Sequence, residues 1–337
     1  MTATTFKSIA GGRIDPFLLE QLDGEVSAVE QELVRQTASS VPLVEHVGRH
    51  ILRAGGKRIR PAFVALGAQA TGNSYDVHRA RRLGAVMEMI HMATLVHDDV
   101  IDDSPTRRGQ PTAHRLFGNA ETILSGDVLL AKAMGLLACD DDHILVRVVA
   151  DSVIEMAEGE VRELEVRGIF ELSEADHLRV LALKTASFIR ACCECGGILA
   201  GATEEVRMAL RSYGEHIGLA FQMIDDVLDY RGKHIETGKV QAMDFRDGQA
   251  TLPLIRLAAK VSEEERQVLR TKFGSIVSDD EIRMIAGWME SRGAYASVEA
   301  SAAAEVRKAL NALDVLPETK GKAMLDAVAR FVIERNS

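Results

Sequence analysis

Two Asp-Asp-x-x-Asp clusters close two long apolar runs, Asp98, Asp99 and Asp102 the first and Asp225, Asp226 and Asp229 the second. On a helix the first and last carboxylates of such a cluster lie four residues apart and share a face, so each cluster can offer two or three oxygens to a hard cation. Acting together, the two could hold several magnesium ions and with them a diphosphate, whose charge must be neutralised before it binds or departs. Cations complement this chemistry. Lys57, Arg58 and Arg60 crowd into GGKRIRP at residues 55–61, and Arg107 and Arg108 follow the first cluster. Neighbouring guanidiniums can reach different phosphate groups. His91 precedes Asp98 by seven residues, close to two helical turns, and can share its face.

These residues need helices to position them. A helical pattern from about Val44 to Ala54 is stopped by Gly55 and Gly56, and Pro61 suits the first turn of the next helix, so the basic trio falls at a helix junction. From about Tyr75 to Asp102 the pattern is long and apolar beyond Leu83, and Pro105 enforces a break. The first cluster therefore sits at a helix C-terminus, where bare carboxylates oppose the helix dipole and need cations to offset the repulsion. Further helices are expected at Ala120–Cys139, Asp142–Val166, Glu174–Ala200 with a capping signal at Ser173 and Asp176, and from Glu204 to Tyr230. Arg231 to Gln249 reads as a loop and candidate lid before a helix starting near Thr251. Asp280–Leu313 and an amphipathic Lys320–Arg335 complete the pattern. With neither linker nor tandem repeat in view, residues 1–337 read as a single domain with a flexible tail over 1–14.

Composition agrees with an all-α body, because aromatics are only 4% while Ala, Leu, Glu and Arg fill long stretches. A formal charge of -10 argues against nonspecific binding to nucleic acid phosphates or to an anionic membrane surface. Residues 1–12 lack a long apolar core, and no later run is long and apolar enough to span a membrane, so cytoplasm is the default. Four cysteines do not make a disulfide scaffold in a chain this long. The cluster Cys192, Cys193 and Cys195 is expected to pack in a helix core instead of binding metal.

In its motifs the chain resembles the trans-isoprenyl diphosphate synthases, also called polyprenyl synthetases. EMIHMATLVHDDVIDDSPTRRG at residues 88–109 is similar to their first aspartate-rich region, FQMIDDVLDY at 221–230 to their second, and GGKRIRP to their basic motif, in the expected order. The resemblance implies a single large helical bundle of the isoprenoid synthase type around a deep central cavity. It also implies magnesium, roughly three ions, between the two clusters and an allylic diphosphate such as farnesyl diphosphate. Lys57, Arg60, His91 and Arg108 are implied for isopentenyl diphosphate, Arg107 for the allylic diphosphate, and Arg58 for a less specific share. Lys184 and Thr185 in LKTASF match a family Lys-Thr pair at the allylic diphosphate, with Lys184 counted among the catalytic residues, and Lys239 matches a further family lysine there. Gln222 can join the polar wall, and Phe221 could line the isopentenyl pocket. At DGQATLP the chain departs from the pattern, with Gln249 where members commonly have lysine, and Ala242 stands where they have glycine.

The expected reaction is head-to-tail: magnesium and cations stabilise departing pyrophosphate, the isopentenyl alkene attacks the allylic C1, and proton loss gives a trans product. No catalytic histidine is assigned. Product length is expected to depend on the residues below the first cluster. Ala93 and Thr94 are small where short-chain relatives carry bulky aromatics, and Ile90, Met89 and Val86 would extend an apolar tunnel. The segment resembles that of long-chain members, whose products reach about eight to ten isoprene units held by apolar burial and serve as quinone side chains. A medium-chain synthase such as one making geranylgeranyl diphosphate, a class I terpene cyclase, and a noncatalytic subunit of a heteromeric synthase are the alternatives. GGKRIRP and Arg108 provide for a second diphosphate that a cyclase does not need, and all six carboxylates are kept where a noncatalytic subunit would be expected to lose some. A homodimer is expected, with a peripheral membrane contact for product release.

Overall fold

A computed structural model describes residues 16–231 and 241–334. The described chain is helical apart from one two-stranded hairpin. In order come α1 (Pro16–Thr37), α2 (Pro42–Arg53), α3 (Ile59–Ala70) and α4 (Val77–Ile101), then β1 (Thr106–Arg107) and β2 (Gln110–Pro111). α5 (Ala113–Phe117), α6 (Asn119–Leu137), α7 (His143–Val166) and α8 (Glu174–Leu181) follow, then a π-helical turn (Ala182–Ala186), α9 (Ser187–Leu199) and α10 (Glu204–Arg231). The remainder is α11 (Met243–Arg246), α12 (Leu252–Ala258), α13 (Glu263–Lys272), α14 (Asp279–Ser291), α15 (Ala294–Ala312), a 3₁₀ turn (Leu313–Val315) and α16 (Lys320–Glu334).

Local chemistry accounts for most boundaries. Asp76 caps α4 by accepting from the backbone N–H of His78 and Arg79 at 2.8 and 3.2 Å. Ser173 caps α8 as its sequence predicts, accepting from Asp176 N–H at 3.0 Å. Ser262 and Ser278 open α13 and α14 with full capping boxes. Two expected helices are interrupted. Glu174–Ala200 carries the π turn in its middle, and Asp280–Leu313 breaks at Gly293, which takes φ +66 between α14 and α15. Within the expected 231–249 loop, residues 243–246 form α11.

The chain divides into two compact units. The first takes the described residues within Met1–Asp151, Ala191–Arg211 and Val315–Ala327. There α4 packs on α1, α3 and α6, burying Val86, Met87, Met89, Ile90, Met92 and Ala93 at 2% exposure or less. A side chain on Gly67 would collide with the Cys193 carbonyl, so α3 and the middle of α9 meet backbone to backbone. Cys192, Cys193 and Cys195 are fully buried there and free, as expected of core packing, and burial pushes the Cys192 thiol up to about 12. The second unit takes Ser152–Arg190, Ser212–Asp314 and the described part of Val328–Ser337. In it α12 packs on α8, α14 and α15, around buried Leu252, Leu254, Ile282, Ile285 and Val298.

Candidate functional site

In the first unit the cationic residues meet around a cavity lined by Arg58, Glu88, His91, Asp99, Arg107 and Arg108, among others. On α4 its lining recurs as Glu88, His91, Met92, Leu95 and Asp99, one face of a helix. The hairpin brings the other wall. Its two-residue loop, Arg108 and Gly109, takes φ +52 and +75, as a tight primed turn requires. His50 Nε2 holds the hairpin to α2 through the Pro111 carbonyl at 2.8 Å. Arg107 donates to Asp99 Oδ1 at 2.7 Å. Burial nonetheless raises the Asp99 pKa, with Arg107 opposing it.

Arg58, the residue before α3, also has a left-handed backbone, φ +46. Its guanidinium is buried, donating to Glu88 Oε1 at 2.8 Å and to Glu30 Oε1 at 3.2 Å. This inward pairing makes it an organiser of the wall, a role its place in a basic motif did not reveal. Burial, followed by the charges of Arg60, Arg108, Arg107 and Arg58, holds the His91 imidazole well below its ordinary pKa. His91 is thus a neutral hydrogen-bonding group near neutral pH. Lys57 is exposed at the same helix junction, Asp98 is half-buried and Asp102 is exposed. Ala93, Ile90, Met89 and Val86 are buried, and Thr94 is half-buried with its hydroxyl on the His91 carbonyl at 2.9 Å. At about 100° per residue these five centre roughly opposite the cavity-lining face of α4.

In the second unit, the close passage of α7 fixes Lys184. A side chain on Gly159 would strike the Lys184 backbone at 2.6 Å, so α7 lies directly on the π turn. Lys184 Nζ then reaches Glu163 Oε2 at 2.5 Å and Glu160 Oε2 at 2.6 Å. Burial lowers the lysine pKa, but the two glutamates outweigh it and the ammonium is held strongly protonated. Thr185, next in the turn, donates its hydroxyl to Gln222 Oε1 at 3.3 Å. π turns concentrate at functional positions because they redirect side chains out of helical phase.

The second aspartate cluster closes α10. Asp226 is buried against His177. Asp229 accepts from the backbone N–H of Met243 and Asp244, both at 3.2 Å, while its carbonyl accepts from Ala242 N–H at 2.9 Å. Ala242 takes φ +55 for this, a left-handed conformation that glycine adopts at less cost. Burial, with Asp226 and Asp247 nearby and the two backbone donors opposing, pushes Asp229 up to about 6. Asp244 is raised further by burial and by Asp229, Asp226 and Glu163. Crowded carboxylates of this kind are relieved by a divalent cation. Gln222, Asp226, Asp244 and Gln249 line a cavity with Glu163, Arg167 and His177. Asp225 and Phe221 are half-buried on α10. Lys239 lies outside the described residues.

Among the described residues no three His, Cys, Asp or Glu side chains stand together as they would around a bound metal ion. Magnesium commonly takes only one or two carboxylates together with substrate phosphates, so an open set of carboxylates fits it. Sequence reasoning missed Glu88, Glu160, Glu163, His177 and Asp244. Glu88 and His177 stand alone in helical text and Asp244 falls in the expected loop, and only Glu160 and Glu163, spaced to share a helix face, carried any local signal.

Comparison with known proteins bears on the whole chain. The family described as Polyprenyl synthetase matches residues 41–286. The octaprenyl diphosphate synthase of Escherichia coli is 35% identical over 315 residues, covering 93% of this chain and 96% of that enzyme. A decaprenyl diphosphate synthase from Rhodobacter capsulatus superposes with a TM-score of 0.88 at 35% identity, over 94% of this chain and 98% of that one. A polyprenyl synthase from Caulobacter crescentus, solved with calcium and isoprenyl diphosphate, gives a TM-score of 0.89 at 33% identity, over 95% and 97%. Such likeness gives the chain the all-α isoprenoid synthase fold that its motifs implied. With the ordered motifs standing on the elements described, the chain belongs to the polyprenyl synthetase family.

Proposed function

We propose that the protein is a head-to-tail trans prenyltransferase that adds isopentenyl diphosphate repeatedly to an allylic diphosphate such as farnesyl diphosphate. Its product would be a polyprenyl diphosphate of about eight to ten isoprene units, whose growing tail is held by apolar burial. Similarity over nearly the full length to octaprenyl and decaprenyl synthases supports both the reaction and the long product.

The observation that carries the reading is the contrast between two charge settings. Four arginines surround a neutral His91 in the first unit, a setting suited to a diphosphate held by protein alone. The aspartate clusters suit a diphosphate held through divalent metal, with Asp98, Asp99, Asp102, Asp225, Asp226 and Asp229 as the ligand set. When bound, magnesium would neutralise the pyrophosphate that leaves the allylic C1. Lys184 would turn from Glu160 and Glu163 to the allylic phosphates, with Thr185, Gln222 and Lys239 completing that wall. Lys57, Arg60, His91 and Arg108 would hold isopentenyl diphosphate so that its alkene attacks C1. The C–O bond to pyrophosphate breaks, the new C–C bond forms, and the released proton leaves with pyrophosphate.

Both units would serve one polyprenyl synthetase domain. A homodimer is supported by the exposed apolar residues Leu116, Ile123 and Leu124 on α5 and α6. No described helix is long and apolar enough to cross a membrane. Cytoplasmic synthesis of a quinone side chain, released at a membrane surface, is the setting this reading favours.

The test is incubation of purified protein with labelled isopentenyl diphosphate, with and without allylic primer and chelator. Long extractable prenyl product that needs both primer and metal is expected. Product formed equally well without either overturns the reading, and product sizing separates the medium-chain alternative.

A further inference from the structure

We propose that Glu88 is a positioning residue for the second diphosphate: its buried carboxylate fixes Arg58 and gathers Arg60 and Arg108 into one wall of the first-unit cavity. The proposal rests on reading that cavity as the isopentenyl diphosphate site. Glu88 is 3% exposed and its partner Arg58 5%. A buried ion pair is a poor way to gain stability, because desolvation consumes most of the attraction, so its presence calls for another role.

The geometry around Gly56 supplies that role. A side chain built on Gly56 would lie 2.9 Å from Arg108 Nη1 and 3.0 Å from Arg58 Nη1, so two guanidiniums converge over this one residue. Like charges do not assemble unaided. Glu88 is the acid that can offset this repulsion. It hydrogen-bonds Arg58, and its charge opposes the burial that lowers the Arg60 and Arg108 pKa values. Arg107 is matched separately by Asp99. Glu30 also pairs with Arg58, so Arg58 carries two carboxylates at the base of the wall. Glu88 also stands three residues before His91 on the same face of α4, so a single helix sets the counter-charge and the neutral donor together.

Two opposed expectations make the idea testable. If Glu88 acts only through its negative field, Glu88→Gln should tighten diphosphate binding. If it positions the arginines, the same variant should weaken it. We expect the KM for isopentenyl diphosphate to rise about tenfold in Glu88→Gln, with the allylic KM changed less than about twofold. In chelator, stabilisation of the full chain by inorganic pyrophosphate should shrink. The double variant Glu88→Gln with Arg58→Gln removes both buried charges and guards against misfolding; its KM should stay raised, because Arg60 and Arg108 remain unanchored. An unchanged or lowered KM in Glu88→Gln overturns the proposal, as does return of the double variant to the wild-type value. A wild type that uses no isopentenyl diphosphate would refute the functional reading instead, and the pyrophosphate titration would still judge Glu88.

Discussion

His177 Nε2 lies 2.9 Å from Asp226 Oδ2, with both residues buried, so one member of the second aspartate cluster is oriented by an imidazole from a different helix. A hydrogen bond of this kind fixes a carboxylate that would otherwise rotate before binding a cation. His177→Ala should therefore lower activity about 10- to 100-fold and raise the magnesium concentration needed for half-maximal rate. Titration of rate against magnesium, beside a melting curve, checks this; an unaltered magnesium requirement would show that the imidazole only fills space.

Replacing Asp98 or Asp225 by Ala removes a hard ligand from the proposed metal set without disturbing a packed core. Turnover should fall at least about 100-fold, since metal stabilisation of departing pyrophosphate is lost. The melting temperature without metal should remain near that of the wild type. Full activity in either folded variant would remove that residue from the site.

His91 gives a pH test. Its pKa is depressed in the folded protein by burial and four arginines, whereas the unfolded chain should titrate near 6.5. Below that pH the unfolded state binds a proton that the folded state resists, so this contribution to stability is present above about 6.5 and is lost as pH falls. Relative to His91→Gln, the wild type should lose melting temperature between about pH 7 and pH 5. Parallel melting curves for the two proteins would contradict the depressed value.

Gln249 lines its cavity with one cation, Arg167, and three acids, Glu163, Asp226 and Asp244. Gln249→Lys adds a charge where the family commonly carries one, and the allylic KM should fall about two- to fivefold. Steady-state kinetics at fixed magnesium decide it. A constant allylic KM would mean that Arg167 already provides the charge or that the new lysine pairs with Asp244.

Ala93→Phe places a ring on the fully packed face of α4, at a cost of about 1 to 3 kcal/mol in overpacking. If the growing tail passes along this face, as proposed, the active variant should make shorter products, and it should melt at a lower temperature. Sizing of dephosphorylated products from the same primer is the measurement. Full-length product from an active variant would assign Ala93 to helix packing alone.

Many helix starts and stops were legible in the sequence because they depend on near neighbours, although α1 was not among the expected helices. Ser173, Pro105 and the glycines at 55 and 56 each act within a turn of themselves. The carboxylate clusters and the hairpin arginines were legible for the same reason. What escaped notice depends on distant partners: Glu88 with Arg58, Lys184 with two glutamates of α7, and His177 with Asp226. A lone acid in a helix reads as solvated until the packing that buries it is known. The π turn escaped too, since ALKTA has the composition of ordinary helix and only its i to i+5 bond from Ser187 N–H to the Ala182 carbonyl distinguishes it.

That π turn makes the reading frame of the helical text matter. It inserts the equivalent of one extra residue, so everything after Ala186 is rotated by about 100° from where an unbroken α-helix would carry it. Loss of any single residue from 182–186 would remove that extra residue and let the segment anneal into plain α-helix with both flanks still in phase. Cys192, Cys193 and Cys195 would keep their buried face, and what would go is the local turn of Lys184 toward α7 and of Thr185 toward Gln222. The fold should therefore survive a deletion here that the placement of Lys184 does not.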